Sequence, residues 1–258
     1  MHPWFIVGAT PRVLAHRGLV TTTDAAHGVV ENSFAAVAAA HGAGATYVES
    51  DCHLTADGTV VLFHDDDLSR VTGDPRPVSD VPIAQLERLM APLGGLLTLE
   101  QALGAFPDTR FNLDVKAEDA AVPVGRLVAR HGERVLLTSF SDDRRRIALG
   151  AAEAEGRGIR PATSAGTATI LRLLAGVSTR SERLVRQALA GVDAVQVPER
   201  RRGLRIVSPR LVEAVHRHGV EVHVWTVNDP GDMRRLIGIG VDGVVTDRAD
   251  LALETLAD

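Results

Sequence analysis

Hydrophobic positions along the chain switch repeatedly between two periods. Short apolar runs such as Val13-Leu14-Ala15, Val135-Leu136-Leu137 and Val222-His223-Val224, bounded by glycine or polar residues, read as strands, and the stretches between them space their apolar residues as helices do. In order, strands are predicted at 12–15, 47–54, 110–116, 135–138, 158–162, 194–197, 221–227 and 243–245. Helices are predicted at 34–42, where Ser33 can cap the first turn, and at 98–106, 122–131, 142–151, 167–174, 181–190, 208–218 and 230–237. Residues 19–30 read as a Gly/Thr-rich loop, and Gly176-Val177-Ser178 as a break between two helices. Residues 65–95 fall into Pro- and Gly-punctuated pieces with one short amphipathic helix at 83–89.

Three segments echo one another: Gly44-Ala45-Thr46-Tyr47-Val48-Glu49, Gly191-Val192-Asp193-Ala194-Val195-Gln196 and Gly240-Val241-Asp242-Gly243-Val244-Val245 each set a helix-stopping glycine before an apolar strand. Eight strands alternating with helices over 258 residues predict an α/β fold, a (β/α)8 TIM barrel. It would be one domain over 1–258, with a small insertion at about 65–95 after strand two. A doubly wound open sheet would carry Gly-x-Gly-x-x-Gly after its first strand, and this chain has none there.

Composition narrows the partners. With 33 acidic against 28 basic side chains, the net charge of −5 offers no general attraction to nucleic acid or to an anionic membrane, which leaves only a local basic patch for either. Arg144-Arg145-Arg146 and Arg200-Arg201-Arg202 lack interleaved aromatics and read as solvated faces. Cys52 is the single cysteine, which rules out an internal disulfide and fits a reducing compartment. The first eight residues lack the basic head and long apolar run of a signal peptide. No segment is long and apolar enough to span a bilayer. The expectation is a cytoplasmic protein without stable membrane anchoring, with a homo-oligomer left open. Of the 28 Lys and Arg residues only Lys116 is lysine, as though a compact ammonium were needed where a planar guanidinium would not fit.

In such a barrel the C-terminal strand ends carry the chemistry. There stand His16 and Arg17 after strand one, Glu49 and Asp51 in strand two, Asp114 and Lys116 in strand three, and Trp225 in strand seven. Residues two apart in a strand share a face, so Glu49 with Asp51, and Asp114 with Lys116, point together. The Thr55-Ala56-Asp57-Gly58 turn can fold the next run back and bring His64 and Asp65 to the same end. Three carboxylates without a thiolate suit a hard divalent cation, Mg²⁺ or Ca²⁺, better than zinc. Arg17 offers a planar fork for phosphate oxygens, Lys116 a point charge, and His16 and His64 a base and an acid on opposite sides of phosphorus.

The ordered set His16-Arg17-Gly18, Glu31-Asn32-Ser33, Glu49-x-Asp51, Thr55-x-Asp57-Gly58, His64-Asp65, Arg70-x-Thr72-Gly73, Asp114-x-Lys116, Trp225-Thr226-Val227-Asn228 and Gly240-Val241-Asp242-Gly243 resembles the glycerophosphodiester phosphodiesterases along nearly the whole chain. That resemblance implies hydrolysis of a small-molecule glycerophosphodiester, such as a deacylated phospholipid, to glycerol 3-phosphate and an alcohol. It implies His16 and His64 as the catalytic acid/base pair, Glu49, Asp51 and Asp114 as ligands of one divalent cation, and Arg17 and Lys116 as phosphate contacts. Glu31 would support the site from the rim, and Trp225 would wall a glycerol pocket. Two positions depart from the family pattern. Ser33 stands where Thr is usual, and Asp114, where many members carry Glu, puts the third ligand one methylene shorter, so that the metal shifts or is reached through water. A lysophospholipase D reading needs an apolar groove beside the site, which residues 18–30 and 65–95 are placed to supply. A catalytically silent binding protein would have lost one of the histidines or acids, and all are present. His53 shares the face of Glu49 and Asp51 but reads as lying past the rim, and Cys52 reads as a small buried thiol on the other face.

Overall fold

The computed structural model describes residues 2–6, 10–156 and 158–257; Met1, Val7 and Gly8 of the N-terminal stretch lie outside them. Eight strands line one barrel: β1 (Arg12–His16), β2 (Tyr47–Leu54), β3 (Arg110–Val115), β4 (Val135–Thr138), β5 (Ala162–Thr163), β6 (Ala194–Pro198), β7 (Glu221–Trp225) and β8 (Gly243–Thr246). Successive strands from β1 to β5 and from β6 to β8 pair in parallel, and β8 returns to β1. The seam between β5 and β6 is held by a parallel bridge from Ser164 to Ala194, with Asp193 N–H donating to Thr163 O at 2.8 Å. This is the (β/α)8 barrel that the alternation predicts.

Outward positions such as Val13, Val48, Cys52 and Val195 pack under the helices, while Leu14, Tyr47, Leu136 and Val245 fill the interior from below. The N-terminal stretch supplies the floor. Trp4 is fully buried, donates Nε1–H to Phe111 O at 3.0 Å, and stacks beside Phe5 and Tyr47. Beside it Arg12 binds Glu221 through two parallel bonds of 2.7 Å. Burial alone would raise the Glu221 pKa, but hydrogen bonds from Arg12 and His223 hold it down, to about 2.

Several boundaries differ from the pattern. β5 sits at Ala162–Thr163 instead of 158–162, because Gly158 adopts φ +78°, which an extended strand cannot contain, and Ala162 is the residue in register with Leu136. β7 stops at Trp225, two residues short of the predicted end, and the Trp225–Thr226 peptide is cis. The predicted break at Gly176 lies inside a helix, Thr167–Thr179. Here glycine is used for close approach: a Cβ would stand 3.0 Å from Val185 N of the neighbouring helix Glu182–Leu189. Within the loop read at 19–30, Thr21 and Asp24 form a capping box that starts a helix at Thr22–Ala26. A closing helix, Ala249–Thr255, carries too few periodic positions to be seen in the pattern.

After β2 the Thr55–Gly58 turn folds Val60–Leu62 back antiparallel on Cys52–Leu54. The residues that follow leave the barrel repeat and form a small core of their own, with Leu68, Val78, Val81, Leu86 and Met90 fully buried around helix Ile83–Met90.

Candidate active site

Strand register assembles the barrel mouth. His16 lies opposite Glu49, Glu49 opposite Asn112, and Asp51 opposite Asp114. Because alternate residues face inward, these side chains form two stacked layers at the C-terminal ends of β1, β2 and β3. Glu49, Asp51 and Asp114 are 8%, 1% and 6% exposed, so three carboxylates are buried within one cluster.

Two cations and an amide hold them. Lys116 Nζ stands 2.7 Å from Asp114 Oδ2 and 2.9 Å from Asp51 Oδ1. Arg17 donates Nη1–H to Glu31 Oε1 at 2.7 Å and places Nε 3.1 Å from Asp51 Oδ2. Asn32 donates to the same Oδ2 at 3.1 Å and accepts from Ser50 Oγ at 2.6 Å. Arg17 and Asn32 both adopt the left-handed backbone region, with Arg17 N–H on Glu49 O and Asn32 N–H on Arg17 O, each 2.8 Å. Gly18 completes the turn: at φ +89° it rests on the helix Phe34–Gly42, and a Cβ would come within 2.6 Å of the Ala36 carbonyl.

Burial raises the pKa of Glu49 well above the carboxylate range, and the charges of Asp51 and Asp114 push it the same way. Burial also raises Asp114, against the pull of Lys116. Burial works against the Lys116 ammonium, yet Asp114 and Asp51 outweigh it and raise its pKa. Glu49 Oε2 and Asp114 Oδ1 are buried without a hydrogen-bond partner among the described residues. Orphaned carboxylate oxygens in an acidic pocket fit a hard divalent cation in donor chemistry. Among the described residues no three His, Cys, Asp or Glu side chains already close round one point, since Lys116 bridges Asp51 and Asp114.

Each histidine is tied through Nδ1 to an aspartate. His16 Nδ1 lies 2.5 Å from Asp247 Oδ1 and His64 Nδ1 lies 2.6 Å from Asp65 Oδ1. A carboxylate accepts, so Nδ1–H donates in both pairs and Nε2 is left for chemistry. His16 Nε2 is 3.9 Å from Glu49 Oε2. Arg70 links the rim, donating Nε–H to Asp65 and Nη2–H to Glu31, each at 2.6 Å.

His16, Arg17, Glu49, Asp51, His64, Asp114, Lys116 and Trp225 all line one cavity of about 280 Å³, so the structure brings these sequence candidates together. Glu31 stands behind Arg17 instead of lining the cavity. His53 does not reach it; it is buried, with Nε2 3.2 Å from His64 O, and burial lowers its pKa. Cys52 is buried in the helix-facing core. Phe140 meets Trp225 edge-on at 5.9 Å, and together with Ile170, Leu171, Leu174 and Ile206 it forms an apolar wall facing the charged layers. That wall comes from the segments after β4, β5 and β6, with Ile170, Leu171 and Leu174 on the helix Thr167–Thr179, and not from residues 18–30 and 65–95. Arg145 corrects the solvated-face reading: it is 7% exposed and pairs with Asp142 at 3.4 Å, while Arg144 donates to the carbonyls of Val115 and Lys116. Sequence reasoning missed Asp247, although an acid two residues past the predicted end of strand eight was a readable strand-end signal, and it named Asn228 within a motif without giving it a role.

The sequence profile of the glycerophosphoryl diester phosphodiesterase family matches residues 16–251. A probable glycerophosphodiester phosphodiesterase 2 of Mycobacterium tuberculosis is 35% identical over 246 residues, covering 94% of this chain and 89% of its own. The crystal structure of a glycerophosphodiester phosphodiesterase from Thermotoga maritima superposes with a TM-score of 0.69 at 26% identity, over 94% of this chain and 96% of the other. An Oleispira antarctica phosphodiesterase in complex with the product sn-glycerol-3-phosphate shares the fold, with a TM-score of 0.72 at 22% identity over 96% and 98% of the two chains.

Proposed function

The chain belongs to the glycerophosphoryl diester phosphodiesterase family and is a glycerophosphodiester phosphodiesterase, and from that premise we propose that His16 and His64 catalyse hydrolysis to glycerol 3-phosphate and an alcohol at the mouth of the barrel. The observation that carries this reading is the pair of aspartate-anchored imidazoles, each with Nε2 available, one at the end of β1 and one just past the hairpin that follows β2, beside the half-buried Arg17 and Lys116. One Nε2 takes the proton of the attacking oxygen as its bond to phosphorus forms; the other gives its proton to the alkoxide that leaves. Arg17 and Lys116 balance the charge that gathers on the non-bridging oxygens. The glycerol 3-phosphate held by the Oleispira antarctica relative supports the product assignment.

Glu49, Asp51 and Asp114 would hold one divalent cation, Mg²⁺ or Ca²⁺. Bound there it supplies Lewis-acid polarisation of a phosphoryl oxygen. Lys116 keeps Asp51 and Asp114 from repelling one another. Trp225 walls the space beside the charged layer. The buried free thiol of Cys52 supports a cytoplasmic location, and among the described residues no helix is long and apolar enough to cross a membrane.

The test is incubation with glycerophosphocholine and Mg²⁺ or Ca²⁺, with release of glycerol 3-phosphate as the readout. His16→Ala and His64→Ala should each abolish turnover and leave the circular dichroism spectrum unchanged. Tight substrate binding with no product under any divalent metal would refute the assignment.

A second reading, lysophospholipid hydrolysis, rests on the apolar wall of Phe140, Ile170, Leu171, Leu174 and Ile206. Comparing kcat/KM for lysophosphatidylcholine and glycerophosphocholine separates the two.

A further inference from the structure

Immediately after β6 the chain forms a two-stranded hairpin, Arg200–Arg201 against Leu204–Arg205, in which Arg200 pairs with Arg205 and Arg201 with Leu204. Every residue from Arg200 to Arg205 is exposed. Arg200, Arg201, Arg202 and Arg205 form no ion pair among the described residues; the nearby Glu199 is taken by Arg235 at 2.8 Å. Four unpaired positive charges on six residues stand out in a chain of net charge −5. Between them Leu204 is 72% exposed, the most exposed large hydrophobic side chain of the described residues.

The hairpin lies on the rim of the active-site cavity, since Arg201 and Ile206 line it. Two more exposed apolar side chains line the same mouth: Phe140, after β4, is 56% exposed and Leu171, after β5, is 59% exposed. The segments after β4, β5 and β6, the helix Thr167–Thr179 with Leu171 among them, follow neighbouring strands and form one continuous side of the mouth. The acidic run Asp65-Asp66-Asp67 follows β2, four strands away from β6 and therefore across the mouth. One side of the opening is basic and apolar; the other presents Asp66 and Asp67 to solvent, with Asp65 paired to Arg70.

We propose that the 200–205 hairpin, with Phe140 and Leu171, docks the barrel mouth on an anionic lipid surface. Unpaired arginines select negative charge, and they would equally accept a nucleic acid or an acidic peptide. The exposed leucines and phenylalanine decide between these, because they need an apolar phase to enter. The acidic side would be held away from the surface, so the bilayer meets the wall of the cavity that is already apolar. Such contact is reversible and needs no spanning helix.

The experiment is co-sedimentation of the full chain with vesicles of phosphatidylcholine alone and of phosphatidylcholine with about one third phosphatidylglycerol, at low and at physiological salt. Binding is expected to the anionic vesicles only, weakened by salt, and reduced about fivefold for each arginine removed. Arg200→Ser/Arg202→Asn/Arg205→Ser removes three, with asparagine chosen because position 202 has φ +49°. Leu204→Ser should also weaken binding, separately from charge. Both variants should hydrolyse glycerophosphocholine within about twofold of wild type, which shows an intact fold. Vesicle binding does not depend on turnover, so the two readings fail independently. Equal binding to neutral vesicles, no binding to anionic vesicles at low salt, or binding unchanged in either variant would overturn the proposal. So would competition by single-stranded DNA with Leu204→Ser behaving as wild type, which would make the hairpin a general polyanion face.

Discussion

His16 Nδ1 and Asp247 Oδ1 lie 2.5 Å apart although 231 positions separate them in the chain. Asp247 is itself fixed by Asn228, which donates Nδ2–H to Oδ2 at 2.7 Å and accepts the Asp247 N–H at 2.9 Å. The hydrogen bond from His16 is the main reason the Asp247 pKa falls below its usual value. An ionised aspartate here selects the tautomer that leaves Nε2 facing the cavity. Asp247→Asn should therefore lower kcat by roughly a hundredfold or more while KM moves only a few-fold. Steady-state kinetics on glycerophosphocholine check this. A rise in KM at constant kcat would mean that Asp247 positions substrate and not His16.

Lys116→Arg keeps the charge but not the shape. The ammonium fits between Asp51 and Asp114 at 2.9 and 2.7 Å, in a space where a planar fork needs room for two parallel bonds. Turnover should fall by roughly a hundredfold with Tm little changed. A fully active Lys116→Arg would show that the lone lysine is an accident of composition.

Chelation tests the carboxylate layer. Treatment with EDTA should abolish activity, and added Mg²⁺ or Ca²⁺ should restore it. The same cations should raise Tm, because they relieve the repulsion that helps push the Glu49 pKa upward. Glu49→Gln should lose most of that thermal shift. Activity that survives exhaustive chelation would remove the metal from the mechanism.

At the opposite end of the barrel, Arg12 and Glu221 predict an acid-sensitive contribution to stability. The Glu221 pKa is held down to about 2, below its ordinary 4.5, so the folded state binds this proton less readily than the unfolded one. The contribution is complete above about pH 4.5 and is lost as pH falls toward 2. The difference amounts to about 3 kcal/mol at neutral pH, at about 1.4 kcal/mol per pKa unit. Urea unfolding of wild type and Glu221→Gln from neutral to acidic pH measures it. The variant should be less stable at pH 7, with the gap closing in acid; a gap independent of pH would mean that only packing was lost.

Much of the barrel was legible because its signals are local. Val135-Leu136-Leu137 and Val222-His223-Val224 are strands wherever they are placed, and Ser33 caps the helix Phe34–Gly42 through the N–H of Ala36, three residues on. Gly158 and Gly176 were misjudged for a different reason. The first carries a backbone angle and the second a close contact with Val185, and neither is written in hydrophobic periodicity. Trp4 could be read as not belonging to a signal peptide, but not as the floor of a barrel closed by residues 107 positions away.

The same division runs through the site. Which side chains share a face, Glu49 with Asp51 and Asp114 with Lys116, is written in the residue order, because the period of a strand is a property of the strand alone. So is the Thr55-Ala56-Asp57-Gly58 turn that returns His64 toward that face. That Asp51 stands opposite Asp114, that the lysine bridges them, that Asp247 orients His16, and that an apolar wall and an arginine hairpin lie across the mouth from Asp66 and Asp67 emerges only in the folded barrel. Those relationships depend on register and barrel closure, which are set by packing between segments far apart in the chain.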